Sequence, residues 1–149
     1  MNDETLKLEN QLCFPLYAAA KGIVKKYTPF LDEIGLTYTQ YITMMVMWQH
    51  KKVTVRELGR HLYLDSGTLT PLLKRLEAKK LISRERSRSD ERQVDIRITE
   101  EGERLKEKAR MVPERLRECI QLDPQDAGAL YALLYKLLNQ FGDGEGELD

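Results

Sequence analysis

The chain has 149 residues, of which 42% are hydrophobic and 32% charged, as in one globular domain, which excludes a disordered or collagen-like chain. Its 24 basic and 24 acidic side chains cancel, so a uniformly basic nucleic-acid-binding coat is excluded, although a locally basic face is not. Two cysteines form neither a disulfide framework nor a paired metal-ligand motif. With no signal-peptide pattern and no apolar run of about 20 residues, we expect a cytoplasmic protein that does not enter a membrane.

Apolar residues at helical spacing predict four helices in the first half of the chain. The first carries an apolar stripe over Leu12–Tyr27 and ends in a turn at residues 28–35. The second has the stripe Tyr38, Tyr41, Ile42, Met45 and Trp48. A short third helix follows Thr54, and the fourth begins near Thr68 because Pro71 favours a place in the first helical turn.

The second half predicts a β-hairpin followed by two helices. Two strands are predicted at residues 81–86 and 94–98, with a polar turn between them and period-two alternation in the second strand. Thr99 is the predicted N-cap of a long helix that bends at Pro113. The final helix is predicted to start after the N-cap Asp123.

This order of elements, mainly α with a small β-hairpin, predicts a winged helix-turn-helix, which is a DNA-binding unit. Residues 51–100 carry a net charge of +5 and the rest of the chain −5, so the basic part of the chain falls on that unit. The first helix and the last two carry apolar stripes that one copy could hardly cover, which predicts a two-fold homodimer on a pseudo-palindromic double-stranded DNA operator. We expect a single domain, 1–149, with the winged unit at about 53–98, dimerisation helices at about 8–34 and 100–141, and a flexible tail at 142–149.

Four segments of the chain resemble the MarR family of bacterial repressors, over essentially the whole length. They are QLCFPLY (11–17), LTYTQY (36–41), YLDSGTLTPLLKRLE (63–77) and RSRSDERQVDIRITEEG (86–102). The last is general to the family, whereas the first and third together resemble its organic-hydroperoxide-resistance branch and the staphylococcal thiol-sensing relatives. Pro15 departs from the pattern and indicates a helix that begins near it, which leaves Cys13 at the helix N-terminal end.

Cys13 is the candidate redox sensor. Cysteine reacts with peroxide as the thiolate, which a helix N-terminus and tyrosine hydroxyl donors can stabilise. Tyr17 and Tyr27 share a helical face with Cys13, yet Tyr27 lies about 21 Å further along the axis. Contact between Tyr27 and Cys13 therefore requires the antiparallel first helix of a second subunit. The resemblance implies the same arrangement, with Tyr27 and Tyr38 of the partner subunit bonded to Cys13. From periodicity alone, ordinary core roles for the cysteine and the tyrosines stay open.

Cys119 has two interpretations. It lies on the apolar stripe of the predicted fifth helix, where packing in the core would explain it. Alternatively it is a resolving thiol that captures the oxidised Cys13 of the other subunit, as in the two-cysteine members that this chain resembles.

Polar and basic residues of the fourth helix and the hairpin are the candidate DNA contacts. They are Ser66, Thr68, Thr70, Lys74, Arg75, Arg86, Arg88, Asp90 and Arg92. The early hydroxyl residues of the helix can reach base edges or phosphates, and Lys74 and Arg75 can reach the backbone. The resemblance implies that Arg92 enters the minor groove while Asp90 holds its guanidinium. A solvated charged hairpin is the alternative.

Two rival functions remain open at this point. A thiol peroxidase would need a dedicated peroxidase motif around Cys13, and none is present. A repressor governed by a phenolic ligand in the dimer crevice would keep the fold and replace the oxidant. His50 and His61 lack a ligand pattern and are expected at the surface or at an interface. We therefore expect a redox-sensing repressor and not an enzyme, with organic hydroperoxide as its signal and neither cofactor nor metal.

Overall fold

The computed structural model describes residues 3–142, a helical chain with one small antiparallel sheet. The helices are α1 (Cys13–Asp32), α2 (Tyr38–His50), α3 (Val55–Leu62), α4 (Ser66–Ala78), α5 (Glu100–Ala109), α6 (Val112–Cys119) and α7 (Pro124–Leu138). The strands are β1 (Lys52–Thr54), β2 (Ile82–Arg86) and β3 (Val94–Ile98), in the order β1-β3-β2. Short 3-10 turns occupy Asp3–Leu6, Leu8–Asn10 and Asn139–Phe141. The predicted fold class is confirmed, while the predicted tail beyond Gly142 lies outside the described residues.

The core of the winged unit is built from the leucines of α3 and α4. Leu58, Leu69, Leu73 and Leu76 are each at most 1% exposed, and Ile96 of β3 is fully buried among the core residues. Burying one such side chain contributes about 1.5–3 kcal/mol. These contacts fix the orientation of α4, so that its polar side faces outward.

Helix α4 begins two residues earlier than predicted. The carboxylate of Asp65 accepts a hydrogen bond from the Thr68 backbone N–H at 2.7 Å and caps the helix at Ser66. Pro71 therefore stands in the second turn, where its missing N–H leaves the carbonyl of Gly67 without a helical partner. The cap and the burial of the flanking leucines outweigh that single lost bond.

Helix α1 runs to Asp32, so the turn predicted from residue 28 onward is wrong for the residues up to 32. The burial of Leu31, 1% exposed, holds the last turn in the helix despite Pro29. The helix then closes at Gly35, which has a φ of +72°. The backbone N–H of Leu36 donates to the Leu31 carbonyl at 3.0 Å, which is the closing bond of a Schellman motif.

The sequence did not predict β1. This three-residue strand pairs with β3, with Val53 opposite Ile96, and turns the predicted hairpin into a three-stranded sheet. The apolar stripe predicted for α2 also differs in part, because Met45 is 46% exposed whereas Met44 and Met47 are fully buried.

The long helix predicted after Thr99 is two helices. Helix α5 ends at Ala109 and α6 begins at Val112, so the interruption precedes the bend expected at Pro113. Pro113 instead occupies the first turn of α6, where a proline N–H is not needed. Ala109 and Val112, on either side of the interruption, are both buried.

A close approach at Gly102 joins α5 to the core. Trp48 donates from Nε1 to the Gly102 carbonyl oxygen at 2.8 Å, within the buried interior. A Cβ atom at Gly102 would lie 2.4 Å from the Leu81 carbonyl oxygen and 2.8 Å from Cγ1 of Ile98. Only glycine fits at this point of the fold.

Large apolar side chains remain exposed at both ends of the described chain. No residue of α7 is buried. The exposed set includes Leu6, Leu8, Leu12, Phe14, Leu16, Tyr17, Leu130, Tyr131, Leu133, Tyr135, Leu137 and Phe141. No helix within residues 3–142 is both long enough and apolar enough to cross a membrane.

Candidate nucleic-acid interface and thiol site

The outward side of α4 carries the candidate DNA contacts of that helix. Ser66, Thr68, Thr70, Lys74 and Arg75 are all exposed, and they alternate with buried leucines at helical spacing. The hydroxyl of Thr70 donates to the Ser66 carbonyl at 2.8 Å, so its oxygen keeps acceptor capacity toward an outside partner. The structure thus exposes all five residues, but Ser66 and Thr70 face the hairpin, whereas Thr68 and Arg75 face the first turn of α2.

A groove of about 570 Å³ separates α4 from the hairpin. Its lining brings Ser66 and Thr70 of α4 together with Arg92 and Asp90 of the hairpin tip. Arg56 of α3 and Arg84 of β2 line it as well, although they were not among the predicted residues. Arg84 is paired with Glu77 at 3.0 Å.

The hairpin tip, residues 87–93, is closed by its own hydrogen bonds. Ser87 donates from its backbone N–H to the Gln93 carbonyl at 2.8 Å. The carboxylate of Asp90 accepts from the backbone N–H of Arg92 at 3.0 Å. This bond uses one of the two carboxylate oxygens of Asp90, and a contact between the other oxygen and the Arg92 guanidinium stays a prediction. Asp90 thus orders the turn, and the Arg92 side chain beside it is exposed.

Arg92→Ala is expected to weaken DNA binding by about 1–3 kcal/mol per half-site. The slope of log Kd against log salt concentration should also become smaller, because fewer counterions are released. Fluorescence anisotropy at several salt concentrations measures both quantities. Arg110→Ala, which removes an equal charge at the end of α5, is the matched control. Wild-type affinity and salt slope in the Arg92 variant would contradict a role for the hairpin in binding.

Cys13 is the first residue of α1, as the position of Pro15 predicted, and it is exposed. The partial positive charge of a helix N-terminus lies at this point. Tyr17, 61% exposed, stands one turn further along, with the ammonium of Lys21 5.2 Å from the centre of its ring. The structure does not bring Tyr17 to the other tyrosines.

Three tyrosines form a cluster at the far end of α1. The ring centroids of Tyr27 and Tyr38 are 5.0 Å apart, and that of Tyr41 lies 5.8 Å from Tyr27. Burial, with repulsion from the two neighbouring hydroxyls, raises the pKa of Tyr27 to about 12, and burial also raises the pKa of Tyr38 and Tyr41. All three hydroxyls therefore stay protonated at neutral pH and can act as hydrogen-bond donors. Tyr41 was not among the predicted site residues, although its spacing of three from Tyr38 places both on one helical face.

Cys119 is the last residue of α6 and is exposed, so the chain's own core does not explain it. His50 and His61 are also exposed, and their rings stack with centroids 4.8 Å apart. Among residues 3–142, no group of three or more His, Cys, Asp or Glu side chains is placed to hold a metal ion.

The polar side of α4, the arginine-bearing hairpin and the groove between them define a winged-helix DNA-binding protein. Residues 25–109 match the family model described as the transcriptional regulator SarA/Rot. The chain is 48% identical over 133 residues to the organic hydroperoxide resistance transcriptional regulator of Bacillus subtilis, with 89% of this chain and 90% of the relative covered. The chain belongs to this family of MarR-type transcriptional regulators. It is a regulator and not an enzyme.

Two solved structures of AbfR, a protein of Staphylococcus epidermidis, have the same fold. Overoxidized AbfR bound to DNA is 35% identical, with a TM-score of 0.75, and the match covers 95% of this chain and 99% of that chain. Disulfide-formed AbfR is 38% identical, with a TM-score of 0.63, and the match covers 91% and 96%. The TM-score is thus higher for the DNA-bound form than for the disulfide form.

Proposed function

We propose that this chain is a cytoplasmic repressor that binds a pseudo-palindromic operator as a homodimer and releases it when an organic hydroperoxide oxidises Cys13. One observation carries this proposal. The exposed Cys13 begins α1, while the protonated Tyr27 lies in the second half of the same helix and packs against Tyr38, the first residue of α2. About 21 Å along the helix axis separates Tyr27 from Cys13 in one chain, so a second, antiparallel α1 is needed to join them.

The exposed apolar side chains support this dimer. They lie on α1, on the segment before it and on α7, where a single copy leaves them in water. A two-fold axis that pairs the α1 helices in antiparallel orientation brings two hydroxyls to Cys13. They belong to Tyr27 of the partner subunit and Tyr38 of the partner subunit. The same axis repeats α4 and the hairpin, which suits a palindromic site.

The sensing chemistry follows from the thiolate. Donor hydroxyls and the N-terminus of α1 stabilise the negative sulfur of Cys13. The sulfur attacks the terminal oxygen of the hydroperoxide, so an S–O bond forms while the O–O bond breaks. The departing alkoxide takes a proton from solvent and leaves as the alcohol, and Cys13 becomes a sulfenic acid. The sulfur has then lost the charge that the tyrosines stabilised.

On the DNA side, Ser66, Thr68 and Thr70 of α4 face base edges or phosphates of the major groove, while Lys74 and Arg75 contact the backbone. Arg92 enters the minor groove from the hairpin, and Arg86 and Arg88 add charge beside it. These side chains are all exposed, and Ser66, Thr70 and Arg92 line the groove between α4 and the hairpin, which supports these assignments.

A stoichiometric titration tests the function. Wild-type protein is bound to a labelled duplex selected from a random pool, and cumene hydroperoxide is added in fractions of one equivalent per subunit. We expect release to be complete near one equivalent and to be reversed by dithiothreitol. If a phenolic compound releases the DNA and the hydroperoxide does not, the signal is a bound ligand and not an oxidant. Release by neither contradicts the proposal.

Tyr27→Phe and Tyr38→Phe are each expected to slow the oxidation of Cys13 about tenfold, because a hydrogen bond to the thiolate is lost. Rates are measured by quenched-flow labelling of the remaining thiol. Operator affinity of the reduced variants should stay near wild type. Tyr131→Phe, on the exposed side of α7, is the control. Unchanged rates in both variants would refute the role of the tyrosine pair.

The exposure of Cys119 favours the resolving role over core packing. Oxidised wild type is then expected to run as a covalent dimer on a non-reducing gel, linked from Cys13 to Cys119 of the partner subunit, and Cys119→Ala should run as a monomer. A disulfide needs Cα atoms about 4.4–6.8 Å apart, so α6 would lie against α1 of the other copy. A monomer band from oxidised wild type would rule out the resolving role and leave a sulfenic acid or a mixed disulfide.

A further inference from the structure

Lys79 joins the end of α4 to the junction between α1 and α2. It is the C-cap residue of α4, and its ammonium donates to Oε1 of Gln40 at 2.9 Å and to the carbonyl oxygen of Gly35. The same Gln40 oxygen accepts the backbone N–H of Thr37 at 3.1 Å, as part of the capping box that starts α2. Gln40 is only 3% exposed, while Lys79 reaches it from the exposed surface. We call these three bonds the Lys79 bridge.

The acceptors of the Lys79 bridge lie at the junction between α1 and α2, the two helices that carry the tyrosine cluster. Gly35 closes α1 beyond Tyr27, and Gln40 lies two residues after Tyr38 in the first turn of α2. Because Tyr38 and Gln40 share the first turn of α2, a movement of that turn together with Tyr38 also displaces Gln40. The Lys79 bridge passes that displacement to the C-terminal end of α4.

Direct packing between these elements is incomplete. A cavity of about 240 Å³ lies between Thr37, Thr39 and Gln40 on one side and α4 on the other. The side of α4 that lines it carries Thr68, Pro71, Leu72 and Arg75. The gap allows the first turn of α2 to shift without collision, and the bridge spans the two elements beside it.

We propose that Lys79 is a positioning residue that couples the oxidation state of the thiol site to the orientation of α4. This inference rests on the proposed function. Oxidation removes the negative sulfur to which Tyr38 of the other subunit donates, the first turn of α2 relaxes, and the bridge draws the end of α4 out of register with the DNA. Lys79 itself touches neither the thiol nor the polar side of α4.

The test compares dissociation constants for the selected duplex in the reduced and the hydroperoxide-oxidised protein. The ratio of the two constants measures the coupling, which in regulators is commonly between about 5-fold and 150-fold. Lys79→Met is expected to lower this ratio about tenfold while leaving the rate of Cys13 oxidation unchanged. Lys79→Arg, which keeps the charge and the donors, should recover most of the ratio.

Lys80→Met is the matched control, because it removes an equal charge at the next residue. The backbone φ of Lys80 is +63°, which is as unfavourable for methionine as for lysine, so the substitution adds no strain. It should keep the wild-type ratio. A Lys79→Met ratio equal to wild type overturns the inference, as does an equal loss of affinity in both oxidation states, which would show a plain charge effect on DNA. If Lys79→Met does not fold, Lys79→Gln gives the same readout. If oxidation does not change the dissociation constant of the wild-type protein, the proposed function itself is overturned.

Discussion

Cys13→Ser is expected to bind operator DNA as tightly as the wild-type protein and to remain bound after an organic hydroperoxide is added. Serine keeps the size and the helix-start position of Cys13, but its oxygen does not form a sulfenic acid. The difference should be all or none, since no other residue in the proposal reacts with the peroxide. Anisotropy traces recorded before and after one equivalent of cumene hydroperoxide measure it.

Cys119→Ser is the matched control, because it removes the other thiol of the chain and leaves the peroxide-reactive sulfur in place. It should still lose affinity on oxidation, even where the covalent dimer no longer forms. Hydroperoxide-driven release that persists in Cys13→Ser would end the assignment of Cys13 as the sensor.

Gly102→Ala is expected to destabilise the fold by about 3 kcal/mol. The added methyl group would stand 2.4 Å from the Leu81 carbonyl oxygen, which is backbone and cannot turn aside. To relieve this contact α5 must move, and the Trp48 bond to the Gly102 carbonyl would weaken with it. Urea unfolding of the reduced protein, followed by tryptophan fluorescence at one fixed protein concentration, gives the free energy of unfolding.

Gly67→Ala serves as the control for that measurement. A Cβ atom added at Gly67 would lie 3.6 Å from the Asp65 carboxylate, its nearest neighbour, which is an ordinary van der Waals distance. Because alanine favours helix over glycine, this variant should unfold at the same urea concentration as wild type or at a slightly higher one. Equal stability of Gly102→Ala and wild type would contradict the close approach.

Local signals were enough to predict most of the helices. The third helix does follow Thr54, which forms a capping box with Glu57, and Asp123 caps α7 as predicted. The elements that were not predicted correctly depend instead on contacts between residues far apart along the chain. β1 has only three residues and exists because β3 pairs with it from more than forty positions away. Likewise α1 passes Pro29 because Leu31 is buried by distant residues.

In the candidate site, too, local spacing predicted some residue positions and not the contacts between distant residues. Helical periodicity was enough to place Ser66 and Thr70 on one side of α4 and Thr68 on another exposed side, since residues four apart share a face and residues two apart do not. The bond made by the Asp90 carboxylate depends on how the hairpin turn closes, which no spacing rule specifies. The contact between Lys79 and Gly35 joins residues 44 positions apart, and periodicity carries no information over that distance.

In the proposed homodimer, helix α7, which buries none of its side chains in one copy, links folding to the amount of protein present. An isolated helix of this length is marginal in water, so a second copy that covers it also stabilises it. Mass action then raises the unfolding midpoint as the concentration rises. Under this linkage, operator occupancy falls for two reasons in a cell that makes less of the regulator. There are fewer molecules, and a larger fraction of them is unfolded.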